Sequence, residues 1–188
     1  MLMASTANAI EKSVSFGGHT FKADLDDNWV TTLGEIAPFN PKDIVDPYDN
    51  AQYWTGTRDF DAFNYGPKPP GGEDDNSINS GYVDLLVVKP DATLRSLKPD
   101  GEDESSFLCR AATDIFTLAG LGDGESTTTK NIDFNGKPAY LQEYETRGMS
   151  CGVIAFFLDS DTIAVMNVET SNNFGKRAWD VIDSITVE

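Results

Sequence analysis

Positive charge and imidazole are scarce in this chain. Lys and Arg together number 14 against 31 Asp and Glu, with a single histidine, and the formal net charge is -17. A phosphate backbone or an anionic bilayer would be repelled, which argues against nucleic acid as a partner and leaves cations, a basic partner, solubility or a salty environment to account for the acids. One histidine and two cysteines, Cys109 and Cys151, cannot furnish the clustered nitrogen and sulfur ligands of a zinc site. Two thiols carry no disulfide framework either, and they read as small buried hydrophobes in preference to a pair. No apolar run reaches the ~20 residues of a membrane-spanning helix, so no transmembrane segment is expected. Met1 to Ile10 lacks the basic region and long apolar core of a signal peptide. That leaves a cytoplasmic protein or one whose leader has been removed, and the cell envelope after leader removal is favoured.

Signatures of chemistry are also sparse. There is no Walker loop and no G-x-G-x-x-G string. Gly148-Met149-Ser150-Cys151-Gly152 matches the G-x-S-x-G of a hydrolase elbow, but that elbow needs a strand before it, a helix after it and a histidine downstream. Here a strand follows and His19 lies upstream, so Ser150 reads as a strand entrance. Acidic clusters stand at Asp24-Leu25-Asp26-Asp27, Glu73-Asp74-Asp75, Asp100-Gly101-Glu102-Asp103-Glu104 and Asp159-Ser160-Asp161. None has the spacing of an EF-hand loop. No cofactor and no catalytic residue is implied; calcium alone stays open as a ligand, on oxygen chemistry.

The final third is the most legible part. Asn135-Gly136 separates two strand-like runs, and this dipeptide tolerates the positive φ that a type I′ hairpin turn requires. A second hairpin runs from Cys151 to Leu158, turns at Asp159-Ser160-Asp161, and returns from Thr162 to Val168. Both its arms are apolar on consecutive residues, which predicts a sheet covered on both faces. After Ser171, the spacing of Phe174, Ala178, Val181, Ile182 and Ile185 predicts an amphipathic helix. A second helix is expected from Glu104, with Leu108, Ala111, Ala112, Ile115 and Ala119 on its apolar stripe and Gly120 and Gly122 at its end. A strand from Tyr82 to Lys89 precedes it. Near the start, Gly17-Gly18 joins Ser13–Phe16 to His19–Leu25 in a third hairpin. This order predicts one α+β domain over 1–188, a three-layer α/β/α sandwich with a largely antiparallel central sheet. A chain of this length buries roughly 70% of its unfolded surface, enough for one core without staples. Residues 1–12 are expected to be a flexible N-terminus.

Residues 31–80 form a long stretch without regular periodicity, dense in aromatics and acids. Loops this long are usually functional or disordered, and so many rings argue against disorder. Two readings stand. The rings pack the stretch onto a sheet edge, or they wall a ligand groove in which Tyr53, Trp54, Asp59, Asp61 and Tyr65 are the candidate binding residues. Residues 67–75, with Pro69-Pro70-Gly71-Gly72, are the expected mobile tip.

Three short segments resemble a known family. Phe21-Lys22-Ala23-Asp24-Leu25-Asp26-Asp27-Asn28-Trp29 resembles the "F-x-h-x-h-P-x-x-W" opening of PsbP-like proteins. Asn135-Gly136-Lys137-Pro138-Ala139-Tyr140 is similar to their hairpin, and Trp179 to Ile185 to their closing helix. The departures are Asp26, where the opening usually has proline, and the long 31–80 insertion. The resemblance implies an α/β/α sandwich of the PsbP and Mog type, and a binding or assembly module instead of an enzyme. It supplies no catalytic residue, and it names neither the protein partner nor an oligomeric state. A small-molecule or divalent-cation-binding protein that uses the 31–80 insertion is the alternative.

Overall fold

The computed structural model describes residues 10–25, 29–31, 37–38, 50–65, 81–120, 126–146, 149–171 and 178–188. The N-terminal hairpin pairs β1 (Ile10–Phe16) with β2 (His19–Leu25). Its turn is made by Gly17 and Gly18 at φ 58 and 84, backbone that a side chain would strain. β1 thus begins inside the stretch expected to be flexible. Alternate residues Val14, Phe16, Phe21, Ala23 and Leu25 are buried, which gives the hairpin one apolar face. Short strands β3 (Trp29–Thr31) and β4 (Ala37–Pro38) and a 3-10 turn (Asn50–Tyr53) lead to β5 (Trp54–Tyr65) and β6 (Gly81–Pro90).

Pro90 ends β6, and the Asp91 carboxylate then caps α1 (Ala92–Ser96) by accepting the Leu94 amide at 2.8 Å. Asp103 does the same for α2 (Glu104–Gly120), accepting the Ser106 amide at 2.9 Å. β7 (Ser126–Phe134) and β8 (Lys137–Thr146) meet at Asn135 and Gly136, whose φ values of 53 and 77 are those the dipeptide predicts. β9 (Met149–Phe157) and β10 (Ile163–Ser171) follow. Their turn is closed by Asp159 Oδ1, which accepts the amides of Asp161 and Thr162, each at 2.8 Å. The chain ends in α3 (Ala178–Ser184) and β11 (Ile185–Val187).

The strands form two antiparallel sheets. One runs β3-β5-β6-β10-β9-β8-β7 with β4 also on β5, and the other runs β1-β2-β11. The centre of the large sheet is buried on both faces, as its doubly apolar strands predict: every residue from Ser150 to Phe156 is buried. Below it, one core cluster joins the large sheet to the N-terminal hairpin, α3 and Ile185. Above it, a second joins the sheet to α1 and α2, through Leu94, Phe107, Leu108, Ala111 and Ala112.

The expected three-layer α/β/α sandwich is therefore corrected to a β-rich fold. The lower face is roofed mainly by a three-stranded sheet, and α3 supplies only seven residues. Ile185, expected on the helical stripe, instead opens β11 and pairs with Ala23 of β2. Thr20 and Glu188 exchange both backbone hydrogen bonds at 2.9 Å, which locks β11 to the hairpin. The physical reason is that β1 and β2 already bring an apolar face large enough to cover the sheet. A three-residue strand completes that layer and satisfies backbone groups that a longer helix would have left on the edge of β2.

The irregular stretch is corrected as well. It contains β5, twelve residues paired to β6 on one side and to β3 and β4 on the other. Polar residues between its rings hide the strand, and a register shift between Asp59 and Phe63 breaks its period. Residues 67–75 lie outside the described ones.

Candidate functional site

Antiparallel register places a polar patch on the helix-covered face of the four central strands. Tyr144 is opposite Cys151, Cys151 opposite Glu169, and Glu169 opposite Tyr82, one row across β8, β9, β10 and β6. Two residues further on, Val153, Asn167 and Asp84 form the next row of the same face. Asn167 is 7% exposed. Its Nδ2 donates to Asp84 Oδ2 at 3.3 Å and to Glu169 Oε1 at 3.5 Å, while its Oδ1 is buried without a partner. A buried carbonyl left so costs about 1–3 kcal/mol. Both donated bonds exceed the ordinary range of about 2.7–3.2 Å for N–H···O contacts.

Protonation follows from the surroundings. Burial holds the Tyr82 phenol far above its ordinary range, helped by its hydrogen bond to Glu169 and by the charges of Glu169 and Asp84. Burial likewise raises Tyr144, with Cys151 and Glu169 beside it. The Cys151 thiol is pushed up to about 12 by burial and then by Glu169. The phenols and the thiol therefore stay neutral, and the patch presents carboxylate and amide oxygens as acceptors.

At the β7–β9 end of the sheet, beside α3, lies a groove of about 350 Å³ lined by Thr128, Glu143, Glu145, Ser150, Trp179 and Asp180 and also by Tyr144 and Cys151 of the polar row. The Lys130 ammonium lies 5.8 Å from the centroid of the Trp179 ring. Ser150 is buried, and its Oγ accepts the Ala178 amide at the start of α3 at 3.3 Å. It sits within β9, with no strand-to-helix elbow around it, and His19 is in the other sheet. A second cleft, also about 350 Å³, lies between the β7–β8 turn and β11 and is lined by Phe134, Asn135, Lys137, Phe156, Thr186 and Val187.

The candidate binding residues read from the sequence lie elsewhere. Tyr53 is half-buried against the upper core, and its carbonyl accepts the Asp91 amide at 2.8 Å. Trp54 is 1% exposed within that core among Leu86, Val88 and Leu94. The backbones of Asp59, Asp61 and Tyr65 follow along β5, and their side chains lie outside those described. At about 3.3 Å per residue, Trp54 and Tyr65 stand on the order of 30 Å apart at opposite ends of the strand. Asp84, Asn167 and Glu169 went unnoticed at the level of sequence. Their signal is a polar residue at every second position of an apolar run, in Tyr82-Val83-Asp84-Leu85 and again in Asn167-Val168-Glu169.

No family model and no curated protein matches the chain. Among solved structures it is similar to LpqN, involved in cell envelope biogenesis of Mycobacterium tuberculosis, at 14% identity and a TM-score of 0.46. That match covers 95% of this chain and 90% of LpqN. Among the described residues, no helix is long and apolar enough to cross a membrane. Among the same residues, no three His, Cys, Asp or Glu side chains group as metal ligands would. Cys109 and Cys151 are both free and buried.

Proposed function

We propose that this chain is a non-enzymatic binding or assembly module, of the kind the PsbP-like resemblance implies, and that it takes a basic segment of a protein partner. The observation that carries the reading is the groove beside α3, where Glu143, Glu145 and Asp180 line the same concavity as Trp179. The ring already accepts one cation within the chain, Lys130. An aromatic face flanked by acids is a general receptor for Lys and Arg side chains. The net charge of -17 steers such a partner toward the surface from a distance. Complementary charge of this sort acts mainly on the encounter rate and on specificity.

Tryptophan fluorescence tests the proposal, because Trp29 and Trp54 are 0% and 1% exposed while Trp179 is the half-buried one. A Lys/Arg-rich peptide is expected to change the emission saturably, with affinity falling steeply as the Debye length shrinks from about 10 Å at 0.1 M salt to about 3 Å at 1 M. Trp179→Phe should abolish the signal, and Glu143→Gln with Glu145→Gln should weaken binding. Equal binding of a neutral peptide of the same length, or no binding of the basic one, sinks the reading.

A further inference from the structure

We infer that the basic segment of the partner binds as an added strand on the outer edge of β7, with its side chains entering the groove beside α3; this rests on the groove reading above and names the form in which the partner is held. β7 ends the large sheet, with β8 on one side and, among the described residues, no strand on the other. The two-residue turn at Asn135-Gly136 makes Phe134 and Lys137 a hydrogen-bonded pair, and such pairs then alternate along the hairpin. Phe134, Ile132, Lys130 and Thr128 therefore bond to β8, while the N–H and C=O groups of Asp133, Asn131 and Thr129 point outward. Pro138 fits this phase, because it stands opposite Asp133 in a pair that needs no donor from it. Thr129, Asn131 and Asp133 are all exposed. An open row of backbone donors and acceptors is a template for another strand.

Register carries the added strand to the groove. Thr128 is paired with Glu143, and Glu143 with Gly152, against which α3 packs, so these residues share the α3 face of the sheet. Lys130, two residues from Thr128, is on the same face and reaches the Trp179 ring. Neighbouring strands are about 4.8 Å apart, so a residue laid beside Thr128 stands about 10 Å from Glu143, a span that an arginine and a glutamate side chain close between them. In antiparallel pairing, the more stable form, alternate residues of the segment send basic side chains into the groove while the residues between them bond to Thr129, Asn131 and Asp133. Lys130 is exposed, so solvent screens its repulsion of the guest. A second copy of this chain is the poorer occupant, because edge-to-edge pairing would join two net charges of -17.

A short peptide of alternating arginine and threonine is the probe, followed by tryptophan fluorescence and by hydrogen exchange of the β7 amides. Saturable binding is expected, with the amides of Thr129, Asn131 and Asp133 exchanging fast in the free protein and slowly in the complex. N-methylation of the peptide's threonine amides should weaken binding at least about tenfold, the scale of losing a few hydrogen bonds, whereas N-methylation of its arginine amides should leave it nearly unchanged. Asn131→Pro removes an outward donor without touching the β7–β8 ladder, and it should weaken binding as well. The inference is overturned if the two methylated peptides bind alike, or if the peptide binds and the three amides gain no protection; the groove reading then stands alone. No binding of the unmethylated peptide removes both. A dimer in sedimentation that Asn131→Pro dissolves assigns the edge to a second copy and likewise overturns the inference. Should Asn131→Pro not fold, the methylated peptides and the exchange of the wild-type protein still decide.

Discussion

At Gly152 α3 packs directly against the large sheet, and adding one methyl group there gives a sharp test of how the lower face is packed. A Cβ built on Gly152 would lie 2.7 Å from Ile182 Cδ1 and 3.6 Å from Ala178 Cβ. Carbon atoms pack at about 3.5–4.0 Å, so Ala178 can stay and Ile182 must retreat by about 1 Å. Ile182 is 0% exposed and has no room to yield without moving its neighbours. Overpacking of this kind costs about 1–3 kcal/mol, against a gain of roughly 0.5–1 kcal/mol for replacing a strand glycine with alanine. Gly152→Ala should thus destabilise by about 1–2 kcal/mol, a fall of about 2–8 °C in Tm for a chain of this size.

Ile182→Val removes the offending methyl and by itself costs about 0.5–1.5 kcal/mol. In the double variant the clash is gone, so its loss should be close to that of Ile182→Val alone. The coupling is then about 1 kcal/mol or more, well outside the roughly 0.3–0.5 kcal/mol scatter of independent sites. Urea titration of the four proteins at constant m-value measures it. Additive losses would show that α3 does not seat its Ile182 over Gly152, and the packing of the lower face would have to be redrawn.

Two further outcomes follow from the core. Cys109 and Cys151 are both raised by burial from 9.0 to about 12, and Tyr82 and Tyr144 are raised further. Because these folded-state values lie above the unfolded ones, their contribution is complete below pH ~9 and is lost as pH rises toward ~12. Urea midpoints should be level through neutral pH and fall across that window, and a midpoint that is flat to pH 12 would contradict the burial of these groups. Ile185→Ala, at a position 0% exposed, should cost about 2–5 kcal/mol. Hydrogen exchange in the wild type should find the amides of Thr20 and Glu188 protected, since each donates to the other's carbonyl; rapid exchange of both would mean that β11 is not paired.

Legibility differed from element to element. Asn135-Gly136, Gly17-Gly18 and Asp159 announced their turns because each acts through its own backbone or a bond two or three residues away. β9 and β10 were plain because strands buried on both faces are apolar throughout. β5 was not plain: it lies near the edge of the sheet, and polar residues between its rings erase the alternation. Ile185 fits a helical stripe and a strand equally well, and only its partner Ala23, distant in sequence, settles which. The cluster at Asn167 was hidden because Asp84 stands on another strand, 83 residues from Asn167 in sequence.

What the order of residues determined by itself was local and compositional: the turns, the burial of β9 and β10, and the acidic net charge. Tertiary structure alone decided which layer roofs the lower face, where Ile185 belongs, and which acids meet. Those outcomes depend on register between strands remote in sequence, and register is set by the summed burial of whole faces, a quantity no short window of sequence contains.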